Sequence, residues 1–221
     1  MTKLALENVI YRYKGGKRNV VDLATCIFES RKLNAVVGPS GCGKTTLLSL
    51  MAGLDEPTSG RILIDGEDLA GLDMDKYRRE RVSMIFQAFQ LFPLLTVMEN
   101  VCFSMELNGL SKTKAAEHAG AFLASVGIDG DKFRRYPSNI SGGEQQRVAI
   151  ARSLASGARV LLADEPTGNL DKKNGENVVE ILQHLVHDQD YCVIIVTHDP
   201  AIAAKSDKVW HMSDGVLKET M

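Results

Sequence analysis

Eight residues constrain this chain more than any others: Gly38-Pro39-Ser40-Gly41-Cys42-Gly43-Lys44-Thr45. They fit the pattern G-x-x-x-x-G-K-[ST]. A short apolar run, residues 33–37, precedes them, and Thr46-Leu47-Leu48-Ser49-Leu50 opens a helical stretch after them. In that order, strand, glycine-rich loop and helix let successive backbone N–H groups converge on phosphate oxygens. The helix N-terminus brings its positive dipole to the same point. Lys44 is suited to hold β- and γ-phosphates, and the Thr45 hydroxyl to ligate Mg²⁺. A glycine-rich turn that binds nothing is the alternative, and the flanking strand and helix argue against it. Gly38, Pro39, Ser40, Gly41, Cys42, Gly43, Lys44, Thr45 and Thr46 are therefore the expected cradle of a nucleoside triphosphate.

The rest of the chain agrees with an α/β fold. The apolar runs 62–64, 160–163 and 192–196 are continuous rather than alternating, as in strands buried on both faces of a largely parallel sheet. Helical stretches are predicted over 44–52, 112–126, 143–156 and 172–187. Residues 3–13 and 20–29 read as strands with no helix between them, so an antiparallel portion is expected at the start. Residues 91–157 read as mostly helical. The expected organisation is a single domain, 1–221. Residues 1–90 and 158–221 would form a core lobe, and 91–157 a helical subdomain inserted into it. Arg78-Arg79-Glu80-Arg81 reads as a solvated helix face.

Composition removes several functional classes. Among 221 residues, 26 Lys and Arg against 28 Asp and Glu leave a formal charge of −2. That balance exerts no general pull on nucleic acid or anionic lipid, so no nucleic-acid partner is expected. No apolar stretch approaches the ~20 residues that span a bilayer. The first residues meet an acid too early for a signal peptide. Cys26, Cys42, Cys102 and Cys192 are widely separated, which suits reduced thiols better than a metal site.

Two further stretches carry chemistry. Leu161-Leu162-Ala163-Asp164-Glu165-Pro166 is an apolar strand ending in two acids. Asp164 there can organise Mg²⁺, and Glu165 can polarise an attacking water. The pair could instead cap the next helix, although Pro166-Thr167-Gly168 inserts a turn first. In Ile140-Ser141-Gly142-Gly143-Glu144-Gln145-Gln146-Arg147, Ser141 and Glu144 have capping-box spacing. A capped helix alone does not account for two glycines in its first turn, where they cost stability. They suit close approach of an anion to backbone N–H groups.

Taken together, these motifs resemble the ATPase subunit of ATP-binding cassette (ABC) transporters over essentially the whole chain. The resemblance rests on the phosphate loop, Gln87, the Ser141–Gln145 signature, Asp164-Glu165, the turn Gly168-Asn169-Leu170-Asp171, and Thr197-His198-Asp199, in the family's order. It implies a P-loop NTPase fold of the RecA-like kind, ATP as substrate and Mg²⁺ as cofactor. Tyr13 matches the aromatic residue that stacks on adenine, with Tyr11 as a rival. Gln87 matches the glutamine that senses Mg²⁺ and the attacking water. Asp164 matches the Mg²⁺ organiser, Glu165 the general base, and His198 the histidine contacting the γ-phosphate. Asp171 matches the aspartate that crosses a dimer interface, and it could equally cap the following helix. Ser141, Gly143 and Glu144 match the signature that covers the nucleotide of a second protomer.

The same resemblance implies a homodimer working with an integral-membrane permease at the cytoplasmic face of the cell membrane. It leaves room for a periplasmic or extracytoplasmic adaptor. Residues 162–171 and 86–101 resemble the branch serving macrolide and antimicrobial-peptide efflux, lipoprotein release and cell division, which favours export. A cell-division-type ATPase that gates a membrane partner without moving a substrate is the alternative. Ile140 departs from the usual leucine. Arg134-Arg135 could rim a partner-docking groove, and bound ATP is expected to shield Cys42 from thiol reagents.

Overall fold

Strands that are buried along nearly their whole length have no face to offer solvent, and three of them occupy the centre of this protein. The computed structural model describes residues 2–220. β3 (Leu33–Val37) and β8 (Cys192–Thr197) are buried at every residue, and β7 (Val160–Asp164) at all but its last. With β6 (Val82–Ile85), β9 (Lys208–Ser213) and β10 (Val216–Glu219) they form a six-stranded sheet in the order β10-β9-β3-β8-β7-β6. Every pairing in it is parallel except β9 with β10.

Successive side chains leave this sheet on opposite faces. Val160, Leu162, Cys192, Ile194 and Val196 enter one apolar cluster, while Leu161, Ala163, Val193 and Ile195 enter another. The first cluster also contains α1 (Lys44–Met51) and the inner face of a second sheet. That sheet is antiparallel and joins β1 (Lys3–Tyr11), β2 (Val21–Glu29), β4 (Ser59–Ile64) and β5 (Glu67–Asp68) in the order β2-β1-β4-β5. α1 thus lies between two sheets, with Leu47, Leu48, Leu50 and Met51 almost fully buried.

The second cluster is helical. It gathers apolar residues of α3 (Val97–Leu107), α4 (Lys112–Ser125), α5 (Gly142–Ala155) and α6 (Lys172–Gln189) against the other sheet face. Each of these helices begins at a side-chain cap: Thr96, Ser111, Ser141 and Asp171. α2 (Met74–Glu80) and the short α7 (Pro200–Ala204) complete the set. The expected α/β P-loop fold with an antiparallel N-terminal part is the fold that forms.

Some local readings differ. The first strand ends at Tyr11, not at residue 13, because Gly16 N–H closes a turn on the Tyr13 carbonyl. The 78–81 stretch is not a purely solvated face. Arg78 donates to the Gly53 carbonyl at 2.7 Å, and Arg81 pairs with Asp65 at 3.1 Å.

Leu162 is fully buried at the middle of β7, where it joins the sheet to α1. Leu162→Ala is expected to lower unfolding free energy by about 2–5 kcal/mol, read by denaturant titration. A loss below ~1 kcal/mol would mean that this layer repacks freely and does not fix the sheet.

Candidate nucleotide-binding and hydrolysis site

Three parallel strands end level with one another. Val37 is opposite Thr197, and Asp164 is opposite Val196. The segments that leave these ends are 38–43, 164–165 and 197–198, so the pairing of the sheet itself brings the motifs together. Ligands of open α/β sheets bind at this edge.

The loop after β3 is shaped by backbone approach. A Cβ on Gly38 would overlap the Met212 carbonyl oxygen, and one on Gly43 would overlap that of Val20. Gly43 also sits at φ 111° and starts α1 without any side-chain cap, so the first-turn N–H groups are left for a ligand. Lys44 is buried, and its Nζ donates to the carbonyls of Gly38 at 2.8 Å and Pro39 at 3.0 Å. The Thr45 hydroxyl donates to Asp164 Oδ1 at 3.3 Å. Burial raises the Asp164 carboxyl above its usual range, and the Thr45 hydrogen bond opposes that shift.

Tyr13, not Tyr11, reaches the loop. Its hydroxyl lies 2.9 Å from Thr46 Oγ1, and about half of the residue remains exposed. Tyr11 packs edge-on to the Tyr13 ring and hydrogen-bonds Asp55. Cys42 is 8% exposed with its side chain in the apolar cluster, so the fold covers most of the thiol.

Beyond β7, Glu165 adopts φ 47°, a conformation that costs a non-glycine residue free energy. The turn aims its carboxylate at His198, with Oε1 2.8 Å from Nδ1. A carboxylate only accepts, so Nδ1 carries the hydrogen. The Thr197 hydroxyl donates to Oε2 at 3.4 Å. Thr197 belongs to a recognised motif, but nothing in the sequence indicated that it would orient Glu165. Gln87 lies across the same edge and is held by Asn169 in both directions. Gln87 Nε2 donates to Asn169 Oδ1 at 3.3 Å, and Asn169 Nδ2 donates to the Gln87 carbonyl at 3.0 Å.

The signature stands apart. Ser141 N–H and Oγ–H both donate to Glu144 Oε2 at 2.8 Å, and Glu144 N–H returns a bond to Ser141 Oγ at 3.3 Å. Glu144 Oε1 takes Lys132 Nζ at 2.8 Å. Lys132 and the Ser141 donors hold the Glu144 carboxyl down at about 2. The Glu144 side chain is thus committed within its own chain, to a lysine that no motif contains. A Cβ on Gly143 would overlap the Asn174 side chain, so α5 and α6 begin against each other. Asp171 caps α6 through Asn174 N–H at 2.9 Å and also accepts from Asn174 Nδ2 at 2.6 Å. Among the described residues, no hydrogen bond or ion pair joins residues 141–145 to residues 38–46.

The donors present suit Mg²⁺, which takes few protein oxygens and completes its shell with water and substrate phosphates. Thr45 and Asp164 supply two adjacent oxygens. Among the described residues, no group of three or more His, Cys, Asp or Glu could form an all-protein cage.

A phosphate loop on a parallel sheet, with a strand-end acid pair and a facing histidine, defines a nucleotide-hydrolysing P-loop protein. Comparison with known proteins narrows the class. The ABC transporter family pattern matches residues 21–168. A lipoprotein-releasing system ATP-binding protein, LolD of Syntrophotalea carbinolica, is 45% identical over 82% of this chain and 81% of its own length. The macrolide export ATP-binding/permease protein MacB of Chromobacterium violaceum is 42% identical over 97% of this chain but only 34% of that longer protein. The dimeric ATP-binding cassette MJ0796, solved in a post-hydrolysis state with ADP and Pi, superposes with a TM-score of 0.89. It is 33% identical, with 98% of this chain and 97% of that one covered. The chain belongs to the ABC transporter family, as its ATP-binding, ATP-hydrolysing subunit.

Ionised Asp164 costs the fold free energy, because its carboxyl is raised in the native state. That cost is present at neutral pH and fades as pH falls through the carboxyl's range. Nucleotide-free Asp164→Asn is therefore expected to melt above the parent at pH 7, with the gap closing toward acid pH. An equal or lower melting temperature at pH 7 would show that the Thr45 bond outweighs the burial cost.

Proposed function

We propose that two copies of this chain close on two ATP molecules and drive a membrane permease that exports its substrate. One observation carries the reading: the signature is a capped helix start with no bond to its own chain's phosphate loop. A nucleotide on Lys44 therefore leaves one side for another chain to cover. Ser141 and the first-turn N–H groups of α5 supply donors and positive dipole that a single protomer lacks. The dimeric state of MJ0796 supports this arrangement.

Each expected residue then takes a role. Gly38, Pro39, Ser40, Gly41, Cys42 and Gly43 wrap the phosphates with backbone N–H groups, and Thr46 continues the cradle. Lys44 exchanges its two carbonyl partners for phosphate oxygens. Tyr13 offers its exposed ring to the base. Thr45, Asp164 and Gln87 would hold Mg²⁺, which would supply charge neutralisation on the phosphates. Glu165 Oε takes a proton from water as the water oxygen attacks the γ-phosphorus, and ADP and phosphate leave. His198 keeps Glu165 oriented through Nδ1 and lies beside the γ-phosphate. Ser141, Gly143 and Glu144 approach the partner's nucleotide, and Asp171 crosses to the partner.

Residues 1–90 and 158–221 act as the nucleotide lobe, and 91–157 as the helical lobe that carries the signature and meets the permease. A cleft of about 480 Å³ beside α3, lined by Leu95, Met98, Phe103, Phe133 and Arg134, is the docking groove. Leu94, 87% exposed, stands close to it in sequence. No described helix is long and apolar enough to cross a membrane. The place proposed for the protein is the cytoplasmic face of the cell membrane, held there by its permease. Export is favoured by the macrolide-export and lipoprotein-releasing names of two relatives, and a periplasmic or extracytoplasmic adaptor fits the same assembly.

Glu165→Gln is expected to bind ATP normally, to lose about 10²–10⁴-fold in turnover, and to accumulate as an ATP-dependent dimer. Phosphate release and size-exclusion chromatography with Mg-ATP read the two effects. A variant that binds ATP and stays monomeric at saturation would sink the two-protomer reading. Lys44→Ala is expected to lose nucleotide binding outright.

A further inference from the structure

Among the described residues, two helices start at capping boxes of the same build, and only one of the two carries an ion pair. At α3, Thr96 N–H and Oγ–H donate to Glu99 Oε2 at 2.8 and 2.7 Å, and Glu99 N–H returns to Thr96 Oγ1 at 3.3 Å. At α5, the Ser141–Glu144 bonds match these to within 0.1 Å. Glu99 has no ion pair among the described residues, whereas Glu144 is paired with Lys132 at 2.8 Å. The α3 box shows that such a helix start forms without a close ion pair, with the Lys112 charge acting on Glu99 only from beyond salt-bridge distance. Capping therefore does not explain Lys132.

What distinguishes the two boxes is what each must face. On the two-protomer reading, on which this inference rests, the α5 box meets the partner's triphosphate and the α3 box does not. Ser141 offers that triphosphate a hydroxyl whose hydrogen is committed to the Glu144 carboxylate. An unpaired carboxylate there would both retain the hydroxyl and repel the phosphates. The pair is placed to prevent this, because Lys132 Nζ lies 2.8 Å from Glu144 Oε1 and the two side chains are largely covered, 20% and 17% exposed.

We propose that Lys132 is a positioning residue for ATP hydrolysis: it neutralises Glu144 and holds it on Oε1, so that Ser141 can turn its hydroxyl to the partner's γ-phosphate. Lys132 touches no nucleotide in this account and acts only through Glu144. It reaches Glu144 from the short 3₁₀ turn Gly130–Lys132 after α4. The Asp129 carboxylate lies 3.6 Å from the same Nζ, a looser contact that leaves Glu144 the nearer partner.

The test compares Lys132→Gln, Lys132→Arg and the double variant K132Q/E144Q in the full-length protein. Each is made in the parent for turnover and in the Glu165→Gln background for ATP-dependent dimerisation. Lys132→Gln is expected to lower kcat by about tenfold and to raise the ATP concentration needed for dimerisation by a similar factor. Binding of ATP to the monomer is expected to stay unchanged, which a misfolded variant would not permit. Lys132→Arg is expected to retain parental turnover. K132Q/E144Q is expected to turn over faster than Lys132→Gln, because it removes the stranded charge. Parental turnover and dimerisation in Lys132→Gln would overturn the inference alone, as would a double variant no better than Lys132→Gln. A Glu165→Gln parent that binds ATP without dimerising would overturn the two-protomer reading and this inference with it.

Discussion

The parallel run β3-β8-β7 is the constraint on which the rest of the molecule depends. Its strands are covered on both faces, so their backbone groups have no water to fall back on and must pair with each other. Pairing fixes the register, and the register levels the ends of all three strands. Three segments of separate sequence origin therefore meet at one edge. Burying each large aliphatic side chain in these strands contributes about 1.5–3 kcal/mol, enough in sum to hold a strained turn at Glu165. The stability of the sheet and the geometry of hydrolysis come from the same ladder.

Much of this architecture is legible in the sequence, because the relevant signals are local. The loop 38–45 is one contiguous pattern, and buried parallel strands announce themselves as unbroken apolar runs. The Ser141–Glu144 spacing marks the start of α5 within one residue. Features that join distant residues through space are not legible. Lys132 meets Glu144 across a turn with no fixed spacing. Thr197 turns its hydroxyl to Glu165 from the neighbouring strand. Cys42 reads as part of an exposed loop, yet its side chain enters the apolar cluster while its carbonyl accepts from Gly215 N–H. Arg78 reads as solvated until the loop around Gly53 folds back to accept from it. Periodicity marks which face of an element is covered, not which polar group from elsewhere arrives there.

A further regularity runs through the site: its charged side chains Lys44, Asp164, Glu165 and Glu144 already have partners within the chain. Lys44 is held by two carbonyls, Asp164 by Thr45, Glu165 by His198 and Thr197, and Glu144 by Ser141 and Lys132. Nucleotide binding is then an exchange of hydrogen bonds rather than the capture of an anion by bare charges. Exchange is nearly balanced by nature, because each bond formed replaces one lost. On the proposed two-protomer reading, closure draws on donors beyond those that one chain holds around Lys44. The first turn of α5 has such donors, and among the described residues none of them bonds its own phosphate loop. On that reading, the site would respond to the arrival of a second chain, and loss of the γ-phosphate would remove the group that the two chains share. The internal partners would then recapture their groups, and the same modest free-energy differences that make closure conditional would make opening prompt.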